Sequence, residues 1–203
     1  MPAPNLTIFL DIDGVLLPHD PPLDATCTSC SVSFTNNNAS PAHLHSEDHD
    51  HPMCLSCASS KDIPHACPGE FPKRTLDALN KLISAVDNSE IVLSSTWRME
   101  PSAVQHIIAN FEAYGPNLSK ITSLPKTTDP NFHHVRQHEI MRYVTSHGLS
   151  TSPFLVVDDD ESAWTSSEHA DFLGPKCVRC ESHYGLTMAS ALAAVSDLKI
   201  NDI

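Results

Sequence analysis

Three apolar runs in this chain of 203 residues end in side-chain oxygen. Leu6-Thr-Ile-Phe-Leu10 leads into Asp11-Ile12-Asp13, Ile91-Val-Leu93 into Ser94-Ser95-Thr96, and Phe154-Leu-Val-Val157 into Asp158-Asp159-Asp160. Carboxylates gathered in one place repel one another until a cation joins them. A few Asp at strand ends suit magnesium, which takes oxygen ligands and usually keeps waters and a substrate phosphate oxygen. One such Asp alone would read equally well as a helix cap or a turn residue. Clusters at matching positions on separate runs make that the weaker reading.

A second constellation lies between the first two runs. Cys27-x-x-Cys30 and Cys54-x-x-Cys57 flank His43, His45, His49 and His51, with His65 and Cys67 just beyond. Paired Cys-x-x-Cys knuckles in a reducing compartment resemble a four-thiolate zinc site, closed to substrate and therefore structural. Metal binding would supply folding energy to a segment with little apolar content. A disordered His-rich loop with incidental cysteines is the alternative, and a site with His replacing one Cys is a third arrangement. Cys177-x-x-Cys180 is different: on a strand its sulfurs point to opposite faces, which predicts buried core residues.

These groups need elements to position them. The apolar run from Leu6 to Asp13, closed by Gly14, predicts a buried central strand. Residues 18–70 change to Pro, Ser, Asn, His and Cys without apolar periodicity, so they form an insertion rather than core. Leu76, Leu79, Leu82, Ile83 and Val86 recur at helical spacing between Pro72 and Asp87, and Ile91 to Ser95 predicts the next strand. Pro101 suits a helix's first turn, and Val104, Ile107, Ile108 and Phe111 make a stripe ending near Gly115. Further elements are a strand at Ile121 to Leu124, a helix at Phe132 to His147 ending near Gly148, and strands at Phe154 to Val157 and Cys177 to Cys180. A last helix spans Met188 to Leu198, with Thr187 as its cap. Strands alternating with helices predict an α/β fold, a parallel sheet covered on both faces, with its ligand site at the carboxyl ends of the strands.

Ile8-Phe-Leu-Asp-Ile-Asp-Gly-Val-Leu16 resembles the first motif of the haloacid dehalogenase (HAD) superfamily. Ile91-Val-Leu-Ser-Ser-Thr-Trp-Arg98 resembles the second motif, and Phe154-Leu-Val-Val-Asp-Asp159 the fourth. The Ser-Ser-Thr-Trp-Arg run, Arg136-x-x-Glu139-Ile140 and Gly185-Leu-Thr187 are similar to a small HAD group that includes the HAD domain of multidomain RNA-repair proteins. The resemblance covers Leu6 to Leu16 and about Phe71 to Leu198.

It implies a Rossmann-like parallel sheet flanked by helices, with a core of residues 1–17 and 71–203 and a Cys/His-rich cap at 18–70. It also implies a magnesium-dependent phosphatase acting through an aspartyl-phosphate. Asp11 would be the nucleophile. Asp13, on the same face of an extended strand, would be the acid and base. The cation would be held by Asp11, the Asp13 carbonyl and Asp159, with Asp158 as outer partner. Ser95 would bind the phosphoryl group, or Ser94 or Thr96 if the register is displaced by one. The cationic clamp would be Arg136, in preference to Lys126. Trp97 and Arg98 read either as lid packing with a surface ion pair or as substrate contacts.

Composition narrows the partners. Twelve Lys and Arg against twenty-five Asp and Glu give a formal charge of −13, which repels polyanions. A phosphorylated small molecule or nucleotide therefore fits better than long nucleic acid, although the RNA-repair resemblance keeps a nucleic-acid end open. No apolar run approaches the roughly 20 residues of a membrane span. Met1 to Asn5 carries no signal-peptide character, so the expected location is the cytoplasm. The alternative function is a metal-binding or protein-interaction module on a HAD scaffold.

Overall fold

The computed structural model describes residues 6–18, 71–118, 121–123, 136–160 and 168–200. Five strands form one sheet: β1 (Leu6–Leu10), β2 (Ser89–Leu93), β3 (Ile121–Ser123), β4 (Phe154–Asp158) and β5 (Cys177–Arg179). Their order is β3-β2-β1-β4-β5 and every pairing is parallel. Parallel neighbours need crossovers, and four helices supply them: α1 (Lys73–Ile83), α2 (Pro101–Tyr114), α3 (Arg136–Ser146) and the short α4 (Ala170–Leu173), while α5 (Met188–Ile200) follows β5.

Alternation along the strands sorts the core into two layers. Leu6, Ile8, Leu10, Ile91, Leu93, Leu155 and Val157 pack with residues of α1, α2 and α5. Phe9, Val92, Phe154 and Val156 pack with Ile140, Tyr143 and Val144 of α3 and Leu173 of α4. Phe9 fixes this second layer through edge-on contacts, its ring 5.5 Å from Tyr143 and 5.7 Å from Phe154. Cys180 belongs to the first layer and Cys177 packs against the second, as their odd spacing predicts. Burial raises both thiols, Cys177 to about 12.

Several boundaries differ from expectation. β1 ends at Leu10 rather than Asp13, because residues 12–17 fold on themselves: Leu16 N and Leu17 N both donate to Ile12 O at 2.9 Å. The apolar run reads as strand because the turn itself is buried, with Ile12, Val15 and Leu16 in the core. β2 begins earlier, at Ser89, where Glu90 accepts from Thr7 Oγ1 across the strands at 3.2 Å. β2 also ends at Leu93 rather than Ser95, α1 stops at Ile83 with Val86 beyond it, α3 is described from Arg136, the short α4 has no counterpart among the expected elements, and Thr187 caps α5 by accepting from Ser190 N at 3.1 Å. No described helix is long and apolar enough to cross a membrane.

Candidate active site

Strand register brings the three oxygen-rich tips to one level. Leu10 lies opposite Leu93 on one side and Val157 on the other, so Asp11, Ser94 and Asp158 follow together. Asp11 N donates to Val157 O at 3.0 Å and Ser94 N to Leu10 O at 2.8 Å, extending the ladder one residue past the strands. Alternation then directs all three side chains to the α3 side of the sheet, with Phe9, Val92 and Val156. Arg136, the first residue of α3, meets them there. Its Nη1 lies 2.9 Å from Asp11 Oδ2 and 2.5 Å from Asp158 Oδ2.

Carboxylate oxygens of Asp11, Asp158 and Asp159 lie within 4.8 Å of one another. Asp158 is spoken for on both oxygens, because Oδ1 accepts from Asp160 N at 3.0 Å. Asp159 lies against Gly14, where a Cβ would overlap its carboxylate, and Gly14 also has a positive φ of 69°. Only glycine meets both demands without strain. Burial raises the Asp158 carboxyl to about 6; Arg136 opposes that rise and Asp11 adds to it. Burial also works against the Arg136 charge, but Asp158 and Asp11 outweigh it and hold the guanidinium protonated. Among the described residues, one cation faces three carboxylates, which leaves an excess of negative charge.

The turn carrying Asp13 is pinned from outside. Thr75 Oγ1 of α1 donates to Leu16 O at 3.0 Å, and Leu186 N donates to Val15 O at 2.9 Å. Gly185 has φ 68°, and a side chain there would strike Val15 O. Asp13 is thus placed by a turn rather than by strand alternation. Its Oδ2 accepts from Trp97 Nε1 at 2.9 Å, and Trp97 rests 6.3 Å from the Phe71 ring.

The second tip has its own supports. Ser95 accepts from Trp97 N at 3.4 Å, capping the short 3-10 turn Thr96–Met99, and Thr96 is exposed. Ser94 is fully buried, and its Oγ has no partner among the described residues. Arg98 is buried rather than at the surface. Its Nη1 donates to Ser94 O and Ser95 O, both at 2.6 Å, and its Nη2 pairs with Glu139 of α3. It therefore holds the β2 tip to the helix that begins with Arg136.

An Asp at the tip of the central strand of a parallel sheet thus meets acids on the tip of β4 and an Arg from α3, the helix that precedes β4. The family described as the HAD domain in Swiss Army Knife RNA repair proteins matches residues 7–191. The chain belongs to this family. Members of the HAD superfamily are generally hydrolases and phosphatases, so the HAD domain here is that of a phosphohydrolase. No curated protein and no solved structure matches the chain.

Within this HAD domain, Asp11, Asp158, Asp159 and Arg136 converge, and Asp13 stands beside them under Trp97. Lys126, Cys27, Cys30, Cys54 and Cys57 lie outside the described residues, as does residue range 19–70 of the insertion. Two contributors escaped sequence reasoning: the Trp97 hydrogen bond to Asp13 and the level position of Ser94. The first spans 84 positions and leaves no local signal. The second was available as a one-residue choice of register. Two hollows on the described surface lie beside Ser89, Asn117 and Tyr114.

Proposed function

We propose that this chain is a magnesium-dependent phosphomonoesterase working through a phosphorylated Asp11. The observation that carries the reading is the convergence of Asp11 and Asp158 on one Arg136 nitrogen, with Asp13 oriented separately by Trp97. An Asp11 oxygen attacks phosphorus and the bond to the leaving oxygen breaks, which divides one difficult displacement into two easier ones. Asp13 gives its proton to that leaving oxygen. It then takes a proton from the water that attacks the phosphorylated Asp11, releasing inorganic phosphate and restoring both carboxyl groups.

Arg136 offers a permanently charged fork to the equatorial oxygens of the transferring group, where negative charge spreads in the transition state. The hydroxyl at the level of Asp11 is that of Ser94, and its unpartnered Oγ suits the phosphoryl-binding role better than Ser95, which caps the adjacent turn. The donor set fits magnesium: the oxygens are hard, and the carboxylates crowd beyond what Arg136 neutralises. Asp11 and Asp159 would hold the ion, with Asp158 positioning Arg136. When bound, magnesium supplies the positive charge that lets an anionic nucleophile approach an anionic phosphate.

For substrate, the family's RNA-repair setting favours a nucleotide or a short polynucleotide end, and a charge of −13 disfavours long nucleic acid. Structural zinc on Cys27, Cys30, Cys54 and Cys57 remains part of the proposal for the insertion. The test is a panel of nucleotides, sugar phosphates and 3′- or 5′-phosphorylated oligonucleotides, assayed with magnesium and with a chelator. Hydrolysis that needs magnesium and disappears in Asp11→Asn is expected; equal turnover in that variant would end the reading.

A further inference from the structure

Two imidazoles and a carboxylate meet at a place the phosphatase reading does not use. His138 lies in the first turn of α3, and Glu168 and His169 directly precede α4. His138 Nε2 is 3.3 Å from Glu168 Oε1, and His169 Nε2 is 3.4 Å from the same oxygen. The two rings stand nearly perpendicular, at 74°, with centroids 5.1 Å apart. One donor atom from each of the three residues lies within 4.8 Å of the others. Both helices pack on the same side of the sheet, through Ile140 and Tyr143 of α3 and Leu173 of α4. The helices next to the donors are therefore anchored in the core, with the Glu168 side chain 70% exposed at the surface.

The spacing leaves room for a shared metal ion. A tetrahedral ion with nitrogen and oxygen donors about 2.0–2.2 Å away separates neighbouring donors by about 3.3–3.6 Å. The two His–Glu separations of 3.3 and 3.4 Å lie in that range, and one donor atom from each of the three residues lies within 4.8 Å of the others. Imidazole selects borderline ions such as zinc, nickel or copper, whereas magnesium prefers oxygen. The chemistry thus separates this trio from the all-carboxylate set at the strand tips, with which it shares no residue.

We propose that His138, Glu168 and His169 bind a zinc-class divalent ion, with a fourth position left to water or another ligand. Such an ion would tie the chain returning from the Asp158–Asp160 tip to the helix that begins with Arg136.

The test is titration of the full chain with cobalt(II) in excess magnesium, followed by visible absorption, for the wild type, His138→Gln/His169→Gln and Glu168→Ala. The wild type should bind one more cobalt ion than the double variant. The difference spectrum should lack thiolate-to-cobalt charge transfer, which separates this site from any site on the insertion's cysteines. Glu168→Ala, at a side chain 70% exposed, should keep its circular dichroism and weaken this ion by at least about tenfold. If the double variant does not fold, the Glu168→Ala affinity decides. Equal stoichiometry and affinity in wild type and folded variants would overturn the proposal, as would a lost ion that carries the thiolate signature.

Discussion

At the scale of residues, the roles proposed for two neighbouring aspartates follow from what each touches. Asp11 faces Arg136, whereas Asp13 faces the indole N–H of Trp97 at 2.9 Å. A carboxyl group that must donate and then accept a proton gains from a fixed direction. Trp97→Phe keeps the ring packing against Phe71 and removes only that donor. It should lower kcat by about tenfold with little change in KM, as read by steady-state hydrolysis of an aryl phosphate. An unchanged kcat would reduce Trp97 to packing. The acidic residues of the candidate site were legible because strand tips announce themselves as apolar runs ending in Asp. The indole contact was not, since nothing local links positions 13 and 97, and the hydroxyl stayed ambiguous because Ser94, Ser95 and Thr96 are chemically alike until the register separates them.

At the scale of elements, two polar links hold the helices that frame the site. The Arg98 pair with Glu139 is buried, with side chains 5% and 6% exposed. Breaking such a pair from one side strands the other charge. Arg98→Met should therefore cost about 3–5 kcal/mol in urea denaturation, and a loss below about 1 kcal/mol would show that Glu139 finds another partner. Tyr114 joins α2 to α1 by donating to Asp77 Oδ1 at 2.7 Å. Burial, then Asp77, raises the phenol from 10.0 to about 12. Because the folded value lies above the unfolded one, the contribution is complete below pH 10 and is lost as pH rises toward 12. Tyr114→Phe should flatten that alkaline loss of stability, as measured by denaturation at graded pH. An identical slope would contradict it. Helices were legible from their apolar stripes. The end of β1 was not, because a buried turn carries the same apolar residues as a buried strand.

At the scale of the whole molecule, one parallel sheet puts β1 at its centre, so that the Asp11 tip lies between the Ser94 tip of β2 and the Asp158 tip of β4. That architecture was legible because alternating strands and helices admit few topologies. Partner choice is less so, since a net charge of −13 describes the average surface rather than the mouth of the site. The central claim, a phosphoryl group carried on Asp11, has a direct test in the Asp13→Asn variant. With an aryl phosphate, whose leaving group needs no proton, the first step should proceed while hydrolysis of the intermediate slows. Acid quenching followed by peptide mass spectrometry should then find a phosphoryl group on the peptide at Asp11, and none in Asp11→Asn. Turnover without any such adduct, or an adduct that persists when Asp11 is replaced, would contradict the account.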